Sequence, residues 1–346
     1  MKKLIICDTN YQLFVALQLK LTLFSADSVD VWVSDHSRRM DEICARLEQK
    51  QVFNNVKFFK TRQKLYQKNK LKVLLDVLNL NFGATRNMNV EKYDEVVFYG
   101  INSIIFRLSD YYDKIGHTAK WSRFEEGLFS YDTDFSYGGS IKLTRKIRQY
   151  IKKTDVVEKI SRYYCFYPNI KETNKNWEFV EIPSLQSTKE KLVDILNYSY
   201  DYKPTKIKQK YIFFASSSDI DGNPFGETQL VLDLAKKYGF DNILVKMHPR
   251  DRRKVYEDSG IEVMRESFIP WELMQLNTDI ENKVLLTVNS GAFISIGALY
   301  GDSTKAEFLF REIKTENKTL QERASTIECM LSKLHSMGLC KGIIIR

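Results

Sequence analysis

The sequence has little of what staples small secreted domains or anchors a chain in lipid. Its five cysteines are Cys7, Cys44, Cys165, Cys329 and Cys340. Their number is odd and no two form a Cys-x-x-Cys unit. That argues against a disulfide framework and against a zinc site, and fits a reducing compartment. No run of about 18 apolar residues occurs, so no transmembrane helix is expected. The start resembles a signal peptide in Lys2 and Lys3, but Asp8, Asn10 and Gln12 break the apolar run before it reaches the length of an h-region. A cytoplasmic protein is expected, with the inner face of the membrane as a peripheral location. Internal repeats and low-complexity tracts are absent. No helix-turn-helix, zinc-finger or ribonucleoprotein signature is present, which argues against a nucleic-acid module.

What is present is globular. The chain of 346 residues is 43% hydrophobic and 28% charged. That length suits one large or two ordinary domains with a substantial core. Lys and Arg number 53 against 44 Asp and Glu, a net charge of +9. Such an excess suits an anionic partner: a nucleotide-linked donor, a nucleic acid or an acidic membrane. Two stretches concentrate the charge and contain no acid. One holds Lys60, Arg62, Lys64, Lys68, Lys70 and Lys72. The other holds Lys142, Arg145, Lys146, Arg148, Lys152 and Lys153. Most such runs are solvated helix faces; the alternative is contact with anionic lipid.

Apolar runs alternate with helical patterns. Strands are predicted at Leu4 to Cys7, Val29 to Asp35, Val56 to Phe59, Asp94 to Gly100 and Ala119 to Phe124, with a helix from about Tyr11 to Phe24. The pattern restarts at Tyr211 with a strand, a polar loop and a helix from about Pro224 to Tyr238. Strands follow at Asn242 to Pro249, Gly260 to Met264 and Lys283 to Gly291. A last helix face carries Leu320, Ala324, Ile327, Leu331 and Leu334. Strand–helix alternation implies parallel sheets covered on both sides. The predicted fold is α/β and GT-B-like, with two Rossmann-like domains facing each other across a cleft. They span residues 1–165 and 205–346, with a linker region at 166–204 that contains one helix.

Four short motifs fall at strand ends, where such sheets bind ligands. Lys246-Met247-His248-Pro249-Arg250 puts an imidazole between two cations, suited to a phosphate. A strand-end histidine is also often satisfied by backbone alone. Glu125-Glu126-Gly127 can supply one ionised general base beside a flexible glycine, although such a triplet standing alone is more often a solvated turn. Asn289-Ser290-Gly291 can seat a phosphate on backbone N–H groups, or Ser290 can be only a helix cap. Glu272, after Pro270 and Trp271, can accept both hydroxyls of a ribose, or can simply favour a first helical turn. Ser216 and Ser217 follow another strand and touch a donor or form a turn. Asn10, Gln12 and Asn102 follow strands of the first half and suit sugar contacts.

These motifs, in this order, resemble those of bacterial sialyltransferases. Glu125-Glu126-Gly127 resembles their D/E-D/E-G motif, His248-Pro249 their HP motif, Ser290 their serine motif and Glu272 their ribose-binding glutamate. The opening, with Cys7, Thr9 and Gln12, resembles glycosyltransferase family 52, the lipooligosaccharide sialyltransferases; it departs at Asn10, where a proline is common. The resemblance implies an inverting transfer of sialic acid from CMP-sialic acid to a terminal galactose of a surface glycan, such as lipooligosaccharide or capsule. In it Glu126, or failing that Glu125, is the base and His248 assists the departing phosphate. Ser290 holds the phosphate and Glu272 the ribose, and Pro249, Lys246 and Gly291 belong to the same donor site. No cofactor and no metal are implied. The implied partners are the CMP-sialic acid donor, a glycan acceptor that can be lipid-linked, an anionic membrane in peripheral contact and a second copy of the chain. The alternatives are a transferase of this architecture using another nucleotide sugar or a CDP-glycerol-type donor, and a nucleotide-binding protein without catalysis.

Overall fold

The computed structural model describes residues 1–60, 90–127, 130–131, 139–152, 155–171, 173, 175–222, 224–248, 250–265, 268–290, 292, 297, 305–313 and 316–346. The chain forms two compact units. The first comprises Met1–Glu126 with Thr133–Pro183, and the second Gly127–Asp132 with Ser184–Arg346.

The first unit is built on a seven-stranded sheet in the order β3-β2-β1-β4-β5-β6-β7. Its strands are β1 (Lys2–Cys7), β2 (Ser28–Ser34), β3 (Asn55–Phe59), β4 (Glu95–Phe98), β5 (Lys120–Phe124), β6 (Ile160–Cys165) and β7 (Glu178–Glu181). Every pairing is parallel. Central strands such as β4 (EVVF) are buried throughout, as expected where helices cover both faces. Helices α1 (Asn10–Leu21), α2 (Met40–Gln49), α3 (Ser103–Lys114) and α4 (Gly139–Lys152) belong to this unit. A buried polar network crosses the sheet. Glu95 accepts from Lys3, from Ser122 at 2.5 Å and from Tyr164 at 2.8 Å. Burial opposes its ionisation, but these hydrogen bonds and the Lys3 charge hold its carboxyl below the ordinary value. The network ties β1, β4, β5 and β6 together, and the carbonyl of Tyr164 accepts the Glu125 N–H at 3.0 Å at the end of β5.

The second unit has a six-stranded parallel sheet in the order β10-β9-β8-β11-β12-β13. These are β8 (Tyr211–Phe214), β9 (Ile243–Lys246), β10 (Glu262–Met264), β11 (Val284–Thr287), β12 (Lys305–Phe308) and β13 (Ile343–Ile345). Its helices include α5 (Lys189–Tyr200), α6 (Glu227–Tyr238), α7 (Trp271–Leu276) and α8 (Lys318–Ser336). Asn317 caps α8 by accepting the Leu320 N–H at 3.1 Å, and Leu320, Ile327, Leu331 and Leu334 are buried as the sequence pattern predicts.

Both sheets reverse their direction of growth at one point, β1/β4 in the first and β8/β11 in the second. In open parallel sheets the crevice at the carboxyl end of that pair is where ligands bind. The segment predicted as a linker differs from expectation. It contributes strand β7 to the first sheet, and the main run of the second unit starts at Ser184, ahead of α5, rather than near residue 205.

Candidate functional site

The first unit gathers polar side chains at the carboxyl ends of β1, β2, β4 and β5. Thr9 caps α1 and accepts the Gln12 N–H at 3.2 Å. The Thr9 hydroxyl also donates to Glu126 Oε1 at 2.8 Å. Gln12 is buried; its Oε1 accepts the Asp8 N–H at 2.7 Å and its side chain also hydrogen-bonds Glu126. Asn102 caps α3 through Oδ1, which accepts the Ile104 and Ile105 N–H groups at 3.0 and 3.2 Å. Its Nδ2 donates to both oxygens of Asp8 at 3.2 Å. Gln12 and Asn102 are therefore supports that fix two carboxylates. Asn10 is the half-buried first residue of α1.

The two glutamates after β5 have opposite environments. Glu125 is 0% exposed. Its Oε1 accepts from the Tyr11 hydroxyl at 2.6 Å and its Oε2 from the Phe166 N–H at 3.0 Å. Those bonds lock it into the core of the unit. Glu126 remains half-buried. Burial pushes its carboxyl above the ordinary value, the Thr9 and Gln12 hydrogen bonds oppose that rise, and the charge of Asp8 adds to it. Alternation along an extended segment accounts for the split, since neighbouring side chains leave on opposite sides. Gly127 takes φ +71°, a left-handed conformation that favours glycine, and its carbonyl accepts from Ser130 N–H and Oγ at 3.1 and 2.6 Å.

Asp8 itself was hidden in the sequence as a break in an apolar run. The structure makes it a site residue. Burial raises its proton affinity, while hydrogen bonds from Ser34 and Asn102 and the His36 charge oppose that rise.

In the second unit His248 lies two residues beyond β9, and its Nδ1 accepts the Arg250 N–H at 3.3 Å. Burial lowers its proton affinity; the charges of Arg250 and Lys246 push the same way, and Asp221 and Asp251 oppose. The ring is thus mostly neutral near pH 7, and the Arg250 contact leaves Nε2 as its protonated nitrogen, a donor for an anion. Lys246 is the half-buried last residue of β9. Arg250 points elsewhere than the sequence suggested. Its guanidinium grips Asp221 at 2.7 and 2.8 Å and receives support from Ser217 Oγ at 2.9 Å. An ion pair with a neighbouring carboxylate spends the charge that was expected to face a phosphate.

The turn after β8 is occupied from within. The Ser216 N–H donates to Glu227 Oε1 at 2.8 Å, and the Ser216 hydroxyl pairs with that of Ser218 at 2.9 Å. Glu227, at the start of α6, is 4% exposed, and its Oε2 has no hydrogen-bond partner among the described residues. Burial pushes its carboxyl up to about 7. An internal carboxylate at this helix start, with Asp219 and Asp221 in the same loop, opposes a phosphate there. The turn after β11 carries no such acid among its described residues. Ser290 N–H donates to Thr287 Oγ1 at 3.0 Å, Thr287 Oγ1 to the Phe214 carbonyl at 3.2 Å, and Ala292 N–H to Ser290 Oγ at 3.3 Å. Of the two turns at this switch point, the one at Ser290 lacks an internal carboxylate among its described residues, and its Ser290 and Ala292 N–H groups are taken up by neighbouring hydroxyls. Glu272 is the buried second residue of α7. Pro249 and Gly291 lie outside the described residues.

The second basic stretch differs from a uniformly solvated face. Arg145 pairs with Asp155 at 2.7 Å and the buried Arg148 with Asp110 at 2.7 Å. Lys142 and Lys146 are exposed on α4, beside Leu143, Tyr150 and Ile151 at 45%, 89% and 44% exposure. Residues 61–72 and Lys153 lie outside the described residues. Among the described residues no helix is long and apolar enough to cross a membrane.

No protein-family model matches the chain, and no curated protein matches it in sequence. The likeness to glycosyltransferase family 52 therefore rests on the short motifs alone. Solved structures do match in fold. An α/β-galactoside α-2,3-sialyltransferase from the luminous marine bacterium Photobacterium phosphoreum aligns over 99% of this chain and 98% of its own, with TM-score 0.54 and 13% identity. A UDP-GlcNAc 2-epimerase from Methanocaldococcus jannaschii aligns over 96% and 93%, with TM-score 0.51 and 13% identity. A putative UDP-N-acetylglucosamine 2-epimerase from Listeria monocytogenes aligns over 93% and 82%, with TM-score 0.52 and 11% identity. The chain has the GT-B fold: two parallel-sheet α/β domains of seven and six strands.

Proposed function

We propose that the protein is an inverting, metal-independent glycosyltransferase that moves sialic acid from CMP-sialic acid to a galactose-terminated glycan. The observation that carries a transferase reading is Glu126, a half-buried carboxylate of raised proton affinity held by Thr9 and Gln12 at the ligand-binding edge of a sheet. The fold shared with a sialyltransferase and the order of the four motifs favour the CMP-sialic acid donor. In the proposed reaction Glu126 takes the proton of the acceptor hydroxyl as its oxygen bonds to the anomeric carbon. The bond from that carbon to the phosphate oxygen breaks, and the electron pair leaves with CMP. His248 Nε2–H donates to the departing phosphate, a bond that strengthens as charge develops. Ser290 holds the same phosphate, and Glu272 the ribose. A nucleoside monophosphate has no diphosphate for a divalent ion to bridge, so this donor can be served without metal.

The test is a donor panel with lactose as acceptor and EDTA present. CMP-sialic acid should release CMP and yield sialyllactose. Turnover of a UDP-sugar and none of CMP-sialic acid would favour the second reading, a UDP-sugar enzyme, which the fold shared with the UDP-GlcNAc 2-epimerases supports. An anionic membrane is proposed as the peripheral partner of the first unit. The exposed Leu143, Tyr150 and Ile151 beside Lys142 and Lys146 support it, and co-flotation with phosphatidylglycerol vesicles but not with neutral ones is the expected result.

A further inference from the structure

The strand between the two carboxylates ends in an aromatic residue that the reaction as written does not use. In the first sheet β4 lies between β1 and β5, so Tyr99, directly after β4, stands between Asp8 after β1 and Glu126 after β5. The register agrees. Phe98 pairs with Arg123, which puts Tyr99 level with Phe124, just short of Glu126. Tyr99 is fixed from behind. The Arg123 guanidinium lies over its ring, 4.5 Å from the centroid, and Arg123 Nε donates to the Tyr99 carbonyl at 3.2 Å. The same guanidinium lies 5.6 Å from the Tyr163 ring, so it is packed against two aromatic residues. Arg123 is 1% exposed, whereas Tyr99 is half-buried. The part of Tyr99 that meets solvent is therefore the part turned away from Arg123. A ring clamped on one face has lost its freedom before any ligand arrives, which lowers the cost of binding on it. We propose that Tyr99 is the platform on which the acceptor sugar stacks, and that a galactose-type pyranose is the class of ligand it fits. Its part in transfer rests on the function proposed above; the stacking does not.

A pyranose is polar at its rim and has apolar patches on its faces. In galactose the axial 4-hydroxyl leaves the hydrogens of carbons 3, 4 and 5 on one face, a patch that matches a phenol ring. Stacking that patch on Tyr99 takes apolar surface of both out of water and gains dispersion contacts. In glucose the hydrogen of carbon 4 lies on the opposite face, so the same stack covers less. Burial raises the proton affinity of the Tyr99 phenol, the Arg123 charge opposes that rise and the Glu126 charge adds to it, so the stacking surface stays neutral. The sugar hydroxyls leave at the rim, where carboxylates accept hydrogen bonds from them. Strand order supplies one carboxylate on each side: Asp8, held by Asn102, and Glu126, held by Thr9. An apolar face with a few polar groups beside it is the general composition of a small-molecule site. Tyr99 touches substrate in this scheme and exchanges no proton with it; the hydroxyl on the β5 side is the one that Glu126 deprotonates.

The experiment is binding of lactose and of maltose to the donor-free protein, read by saturation-transfer NMR. Lactose should bind, with the strongest transfer to the galactose hydrogens of carbons 3, 4 and 5, and maltose, which ends in glucose, should bind more weakly. Tyr99→Ala should weaken lactose by about tenfold and raise the lactose KM by the same factor, with the donor KM in place. Tyr99→Phe keeps the flat face and should restore both. Tyr99→Leu keeps bulk without that face; it should behave as Tyr99→Ala does and serves if the latter does not fold. No binding of lactose, unchanged binding in a folded alanine or leucine variant, or a phenylalanine variant as weak as alanine would overturn the platform. Equal binding of maltose would overturn the galactose preference. Binding needs no turnover, which separates the two ideas. Lactose held through Tyr99 in a protein that transfers no sialic acid leaves the platform standing and removes the function. Sialyl transfer with a lactose KM indifferent to Tyr99 does the reverse.

Discussion

The two units carry polar side chains at the carboxyl edges of their sheets and furnish those edges with opposite chemistry. At the strand ends of the first unit stand two carboxylates, Asp8 and Glu126, whose supports are neutral: Thr9, Gln12, Ser34 and Asn102. At those of the second stand an imidazole, Lys246 and the hydroxyl-lined turn at Ser290. Neutral supports leave a carboxylate hungry for a proton, whereas a cationic support would have made it a weak base. In the second unit the acids near His248 are largely consumed, Asp221 by Arg250 and Asp251 by Arg253. In the proposed reaction one fold supplies a proton acceptor in one unit and an anion stabiliser in the other, and the difference lies in what surrounds each titrating group.

The most severe way to break this contrast is Glu126→Gln, which keeps shape and loses the base. Turnover should fall by about 10²–10⁴ while CMP binding, followed by calorimetry, survives. Normal turnover would end the division of labour. In the wild-type protein kcat/KM should rise with pH through the raised Glu126 carboxyl, so the acid limb should stand above the ordinary glutamate value. Next is His248→Ala. A group that acts on developing charge should cost on the order of a hundredfold in kcat, with little change in donor affinity. An equal loss in both would make His248 a binding residue only.

Glu227→Gln sharpens the contrast through stability. The folded carboxyl titrates at about 7, above its unfolded value, so its contribution is fully present below the unfolded value and is lost as pH rises through 7. The variant should escape that loss and be more stable at pH 8 by on the order of 2 kcal/mol, a gain that vanishes near pH 4, read by urea unfolding. A pH-independent difference would refute the buried-charge account. The smallest effect is expected for Arg250→Ala. Arg250 is already paired with the exposed Asp221, so CMP affinity should change by less than about threefold. A tenfold loss would place its guanidinium on the phosphate instead.

Much of this could be read before the structure. The central strands announce themselves as apolar runs, and alternation after β5 separates the two glutamates. Among the strands that escaped, β7 (EFVE) is half exposed, β12 (KAEF) alternates its two buried positions, Ala306 and Phe308, with charged ones, and β6 (ISRYYC) is a mixed polar and aromatic run inside the sheet. Their strand character comes from a neighbour's backbone, which local sequence does not contain. Asp8 escaped for a similar reason. Its importance depends on Asn102, 94 residues away. Arg250 misled because sequence shows that a cation is near a histidine and cannot show that Asp221 reaches it first.

Asn102 serves two masters with two ends of one amide. Its carbonyl oxygen starts α3 and its amino group holds Asp8. Aspartate would keep the helix start but turn an acceptor toward a carboxylate, serine would lack the second arm, and glutamine would overreach. The position is therefore not free to drift on its own. Among relatives of this chain, a residue other than aspartate at position 8 should release position 102 to any good helix cap, whereas retention of aspartate should hold asparagine in place. The two positions form a covarying pair whose logic is chemical, and an alignment of homologues can find it without any knowledge of the reaction.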